Sequence, residues 1–146
     1  MMTKDKMRRI LSGVLDKEPQ TLDLPDSTDW RRLENKFQTK FPDEFIWFME
    51  LMTEFSFPGE ILNVRVSENT NGNDGIEFTY DHEIKNGTWP TTLIPFYSIG
   101  NGDYFCLSIK EADASQVYYY YHDDQKIDAC CDNFESWIKE LPNFLS

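Results

Sequence analysis

The order of periodicities along this chain predicts an α+β fold. Three amphipathic helical stretches occupy its first third, a run of short β-like segments follows Gly59, and one capped helix closes it. Helices grouped before and after a run of sequential strands indicate an antiparallel-rich sheet rather than alternating βαβ units. The expected architecture is a single domain over residues 1–146, an antiparallel-rich mixed sheet with N-terminal helices and one C-terminal helix packed on it. The helices are expected to cover one face of that sheet. The 11 Phe, 7 Tyr and 4 Trp residues supply large apolar bodies for one core, which argues against disorder.

Met7, Ile10, Leu11, Val14 and Leu15 recur at helical spacing and predict a first helix. Glu18-Pro19 is expected to end it, because proline disfavours helical geometry in the residue before it. Ser27 or Thr28 is expected to cap a second helix, on which Trp30, Leu33 and Phe37 share a face. Phe41-Pro42-Asp43-Glu44-Phe45 opens a third. Pro42 suits the first helical position, the two acids complement the positive helix end, and Phe45, Phe48, Met49 and Met52 form the buried stripe.

After Gly59 the period changes. Ile61 to Val66 reads as a strand and Asn69 to Gly75 as a turn-rich loop. Ile76, Phe78 and Tyr80 alternate with Glu77 and Thr79, the pattern of a half-buried strand. Lys85 to Thr88 is a loop, and Leu93 to Tyr97 a short strand with Pro95 marking an edge, bulge or end. Tyr104 to Ile109 and Gln116 to His122 are two further strands flanking a polar connector. The last helix opens at Asp132 or Asn133, with Glu135 completing a capping-box-like pair with Asp132. It carries Phe134, Trp137, Ile138 and Leu141 on its apolar face and stops at Pro142.

The formal net charge is −12, and it is unevenly spread. Residues 1–59 hold 11 acidic and nine basic side chains, against 15 and five in residues 60–146. A negative field on the sheet half repels nucleic acid phosphates and steers basic partners; acidity also simply favours solubility. Nucleic acid is therefore not an expected partner. No apolar run approaches the roughly 18 residues a membrane span needs, and the N-terminal apolar stretch is too short for a signal peptide. Three cysteines, Cys106 and the adjacent Cys130 and Cys131, form neither an even disulfide set nor spaced metal-ligand pairs, so buried structural thiols in a cytoplasmic protein are expected.

The sharpest local signal is Gly100-Asn101-Gly102-Asp103, where two glycines supply positive φ and Asp103 can bond nearby backbone. Its bland use is a turn between strands; its functional use is to present Asn101 and Asp103 at the rim of a recognition groove. The histidines lie among acids, in Asp81-His82-Glu83 and His122-Asp123-Asp124. A metal site or a general base is conceivable there. Neighbours on a strand face opposite ways, however, so a strand-end His bonded to a loop carbonyl is the simpler reading. Tyr118 to Tyr121 divide by the same rule, with Tyr118 and Tyr120 on one face and Tyr119 and Tyr121 on the other. One pair is expected to pack, and the other to pack or to offer a partner contact.

In their order and spacing these segments resemble the SUKH superfamily, which includes the yeast glucan-synthesis regulators and many bacterial toxin-immunity proteins. The matching features are the Phe41-Pro42-x-x-Phe45 helix start and the apolar strand running to Phe96. They continue with the Gly-Asn-Gly-Asp turn, the Cys106-Leu107 strand, the aromatic strand ending in His122-Asp123, and the Phe134-x-x-Trp137-Ile138 helix. The resemblance covers roughly Trp30 to Leu141. One departure stands out: many relatives run from the third helix into an Asn-Gly turn, whereas this chain continues Met52-Thr53-Glu54-Phe55-Ser56-Phe57-Pro58-Gly59.

The resemblance implies a non-catalytic protein-binding module without a cofactor. In the leading reading it is an immunity protein that binds and neutralises a polymorphic toxin, often a nuclease, whose basic domain suits the acidic half. Asn101, Asp103, Tyr119, Tyr121, His122, Asp123 and Asp124 are the candidate partner-facing residues. A regulatory scaffold similar to the cell-wall-synthesis regulators is the alternative within the family, and a small-molecule or sugar-binding protein the alternative outside it. No catalytic constellation frames the Ser, Cys and His residues.

Overall fold

Thr3 starts the first helix by accepting the Lys6 backbone N–H, and α1 (Lys4–Val14) then buries Met7 and Leu11. These statements rest on a computed structural model that describes residues 2–18, 22–65, 75–109 and 116–145. The chain leaves the helix at an extended Leu15, ahead of the expected stop at Glu18-Pro19. It does so to form β1 (Asp16–Lys17), which pairs antiparallel with β2 (Phe55–Ser56). The cap of α2 (Ser27–Phe37) is Asp26 rather than Ser27 or Thr28. Asp26 and Asp29 each accept the other's backbone N–H, at 3.0 and 2.9 Å, satisfying two free donors at once. Pro42 stands at the cap position, one residue ahead of α3 (Asp43–Leu51), whose Phe45, Phe48, Met49 and Leu51 are buried.

The strand expected over Ile61 to Val66 is only β3 (Glu60–Ile61), followed by an isolated parallel bridge from Asn63 to Gly75. Most of the loop expected at Asn69 to Gly75, the connector at 110–115 and Pro19 lie outside the described residues. The strand expected at Ile76 to Tyr80 is instead the start of a helix, α4 (Ile76–Asn86). Five alternating residues were too few to separate a period of two from a helical one. The longer run places Ile76, Tyr80 and Ile84 four apart on one face. Arg32 of α2 fixes that helix by bonding Glu77 at 2.6 Å and the Val64 carbonyl at 3.0 Å.

The main sheet is β3, then β4 (Leu93–Ser98), β5 (Tyr104–Ser108), β6 (Val117–Tyr120) and β7 (Ile127–Cys131), in that order. All its neighbours pair antiparallel, so the mixed component expected from sequence is absent from the described strands. Strand β7 was not anticipated; the sequence reading passed straight from the tyrosine strand to the last helix. That helix, α5 (Phe134–Phe144), is capped by Asn133, whose side chain accepts the Ser136 N–H, and it carries Pro142 inside its last turn. Proline there forgoes only one bond near the helix end, so it does not stop the helix.

Of the edge, bulge or end expected at Pro95, a bulge is what forms, and it has a clear effect. Pro95 faces Cys106 and Tyr97 faces Phe105, leaving Phe96 as the extra residue. Phe96 and Tyr97 therefore both reach the ring of Trp137, at 5.1 and 6.5 Å. Around them Phe45, Phe48 and Phe134 pack edge-on, and α1, α3 and α5 cover this face. The opposite face is also covered, contrary to expectation. Trp89, Leu93, Cys106 and Tyr120 form a second buried cluster there, with Tyr80 and Ile84 of α4 against it. Trp89 is pinned by donating its indole N–H to the Leu93 carbonyl at 3.0 Å.

Candidate partner-binding face

Two loops meet at one end of the sheet. Between β4 and β5, Gly100 and Gly102 take φ of +104° and +97°, a region that side chains with a Cβ avoid. The turn brings Asp103 inward, where its backbone N–H donates to the Asn101 side-chain oxygen at 3.0 Å. Asp103 is only 8% exposed, and its carboxylate joins the two loops. Oδ2 accepts the Tyr119 hydroxyl at 2.8 Å, and Oδ1 accepts the His122 backbone N–H at 2.9 Å and lies 2.6 Å from the His122 Nδ1. An ionised carboxylate only accepts, so Nδ1 carries the proton in that contact. Gly102 closes the arrangement, since a Cβ there would lie 2.9 Å from the His122 ring.

The electrostatics follow from this geometry. Burial alone would raise the Asp103 pKa. The His122 backbone N–H, the His122 ring and the Tyr119 hydroxyl outweigh it and hold the carboxyl below its ordinary value. His122 is raised, chiefly by its hydrogen bond to Asp103, with the charge of Asp123 adding to it. The Tyr119 hydroxyl is pushed up by burial and by its bond to Asp103.

The second loop, the β6–β7 turn, is held by Tyr121 donating its N–H to the Lys126 carbonyl at 2.9 Å. Asp124 accepts the Lys126 N–H at 3.1 Å, and Gln125 adopts φ of +58°. Asp123 lies 2.9 Å from the other His122 ring nitrogen.

The seven residues singled out from sequence thus converge on one region. Asn101, Tyr121, His122, Asp123 and Asp124 are exposed, Tyr119 is half-buried with its ring 4.6 Å from that of Tyr121, and Asp103 faces inward. His122 finds a carboxylate 19 residues away instead of a loop carbonyl. His82 is on α4, not on a strand, and stacks on Phe78. Among the described residues no group of three or more His, Cys, Asp or Glu side chains is placed to hold a metal ion, and no helix is long and apolar enough to cross a membrane.

Sequence reasoning missed what adjoins this end of the sheet. Strand β7 is the sheet's outer strand, with Ile127 42% exposed beside Asp128. An open groove of about 580 Å³ separates it from α5. Cys106 is buried as expected, but Cys130 is exposed and Cys131 half-buried in that groove, contrary to the expectation of three buried thiols. The available signal was the turn-forming Asp123-Asp124-Gln125 followed by six residues before Asp132, room for one short hairpin strand. No curated protein matches the chain. The family model SUKH_5, described as SMI1-KNR4 cell-wall, matches residues 5–143, so the chain belongs to the SMI1-KNR4 family of the SUKH superfamily.

Proposed function

We propose that this protein is a non-catalytic binding module whose partner is a basic protein domain, and that it acts as an immunity protein by covering a toxin's working surface. The family includes toxin-immunity proteins as well as regulators. The observation that carries the reading is the composition of the β6–β7 end. Exposed Tyr121 and Ile127 lie among Asp123, Asp124 and Asp128, beside the outer strand of the sheet. Apolar and aromatic anchors ringed by charge suit a protein contact, and a field of one sign steers a partner of the other. Asp103 has a positioning role here: it holds His122 and, through it, the loop that presents Asp123 and Asp124.

The test is capture from the protein's own cell lysate at low and at about 0.5 M salt, with the native chain and the D123K/D124N variant side by side. A basic toxin-domain polypeptide held by the native chain, released by salt and lost in the variant, is the expected result. Equal retention of that polypeptide by both chains would sink the electrostatic reading. Recovery of a wall-synthesis or signalling protein instead would replace immunity with regulation.

A further inference from the structure

Adjacent residues on a regular strand point to opposite faces, so neighbouring cysteines do not ordinarily meet. Strand β7 breaks that rule. Its register shifts so that Val117 faces Cys131 and Tyr118 faces Ala129, which leaves Cys130 as the extra residue of a bulge. The two sulfurs consequently lie 3.2 Å apart. Both are free thiols, and both line the open groove against α5, whose walls include Ala129, Phe144 and the carboxylates of Asp132 and Glu140.

We propose that Cys130 and Cys131 form a dithiol site for a trivalent arsenical, a ligand whose single pyramidal centre bonds two sulfurs at once. The spacing favours this class over the usual metal. A tetrahedral zinc ion with bonds of about 2.3 Å holds its sulfurs about 3.8 Å apart, and no third ligand group stands ready among the described residues. The step balances without an oxidant. An organoarsenous acid, R–As(OH)₂, forms two As–S bonds, breaks two As–O bonds and releases two waters carrying the two thiol protons, with arsenic remaining trivalent.

Competing thiol chemistry is disfavoured. A disulfide between adjacent residues must work with Cα atoms about 3.8 Å apart, short of the usual range of about 4.4–6.8 Å. Burial, Cys130 and the nearby carboxylates Glu140 and Asp132 push the Cys131 thiol up to about 12. It therefore stays protonated and is a slow nucleophile toward peroxides. Phe144, exposed on the groove wall, offers an apolar surface to an aryl substituent.

Phenylarsine oxide, which hydrates to the arsenous acid, is the probe, and intact-mass spectrometry of the folded chain the readout. The expected result is one phenylarsenic adduct per chain, released by excess dithiol and resistant to an equal concentration of monothiol. Cys130→Ser and Cys131→Ser should each weaken capture about 100-fold by removing the second, intramolecular bond. Cys106→Ser should capture normally, since Cys106 is buried on the other face of the sheet. Circular dichroism of each variant guards against loss of fold. Absence of an adduct on the native chain, or undiminished capture by either serine variant in its folded form, would overturn the proposal.

Discussion

Asp103 illustrates how one side chain serves structure and function together. Its carboxylate accepts three hydrogen bonds, one from Tyr119 of β6 and two from His122 just beyond it, and so ties the β4–β5 turn to the β6–β7 turn. Asp103→Ala leaves the His122 N–H and the Tyr119 hydroxyl without their acceptor, which should cost about 2 kcal/mol in urea unfolding. The pH dependence has two limbs. His122 has a raised pKa when folded, so its contribution is complete below about pH 6.5 and disappears as pH rises through the folded value. Asp103 is lowered, so its contribution is present above about pH 3.8 and disappears as pH falls through its folded value. The pair therefore contributes most between those limits. The stability gap between the native chain and His122→Gln should be widest near pH 5.5 and shrink toward pH 9. A gap unchanged across that range would show that the ring's charge contributes nothing.

At the scale of elements, two one-residue irregularities do much of the work. The bulge at Phe96 turns two successive aromatics toward Trp137, and the bulge at Cys130 turns two successive thiols toward α5. The turn before β5 depends on Gly102. Gly102→Ala would force a Cβ onto the His122 ring at a φ that alanine resists, costing about 1–2 kcal/mol. Nuclear magnetic resonance should then show the His122 pKa falling toward 6.5, because the displaced ring loses Asp103; an unmoved pKa would mean that the clash relaxes elsewhere. The same elements mark what the sequence discloses. Helices α1, α2, α3 and α5 were legible because their apolar stripes repeat over two or more turns. Helix α4 was misread because the window Ile76 to Tyr80 satisfies both periods, and only Ile84 resolves them. Strand β7 was missed because it exposes most of its side chains, leaving no alternation to detect. The polar cluster was half legible. The turn and the His-Asp-Asp run stood out separately, but the bond between Asp103 and His122 is a tertiary contact that local pattern cannot supply.

Over the whole molecule the governing quantity is charge. A net of −12, concentrated in residues 60–146, sets up self-repulsion in the folded chain and a long-range pull on basic partners. These two effects respond oppositely to the same substitution. In the variant D123K/D124N, the asparagine introduced at position 124 keeps an oxygen able to accept the Lys126 N–H, so the turn is preserved while three units of negative charge are removed. Self-repulsion falls, so thermal stability should hold or rise slightly at low salt. The His122 pKa should drop, since Asp123 is one of the charges that raise it. Association with a basic partner should slow about tenfold at low ionic strength, with the difference from the native chain vanishing near about 0.5 M salt. Stopped-flow association across a salt series, with melting curves on the same samples, separates the two effects. If association slowed only in proportion to a loss of stability, Asp123 and Asp124 would be props of the hairpin. If it slowed in a chain as stable as the native one, and salt erased the difference, these carboxylates steer the partner.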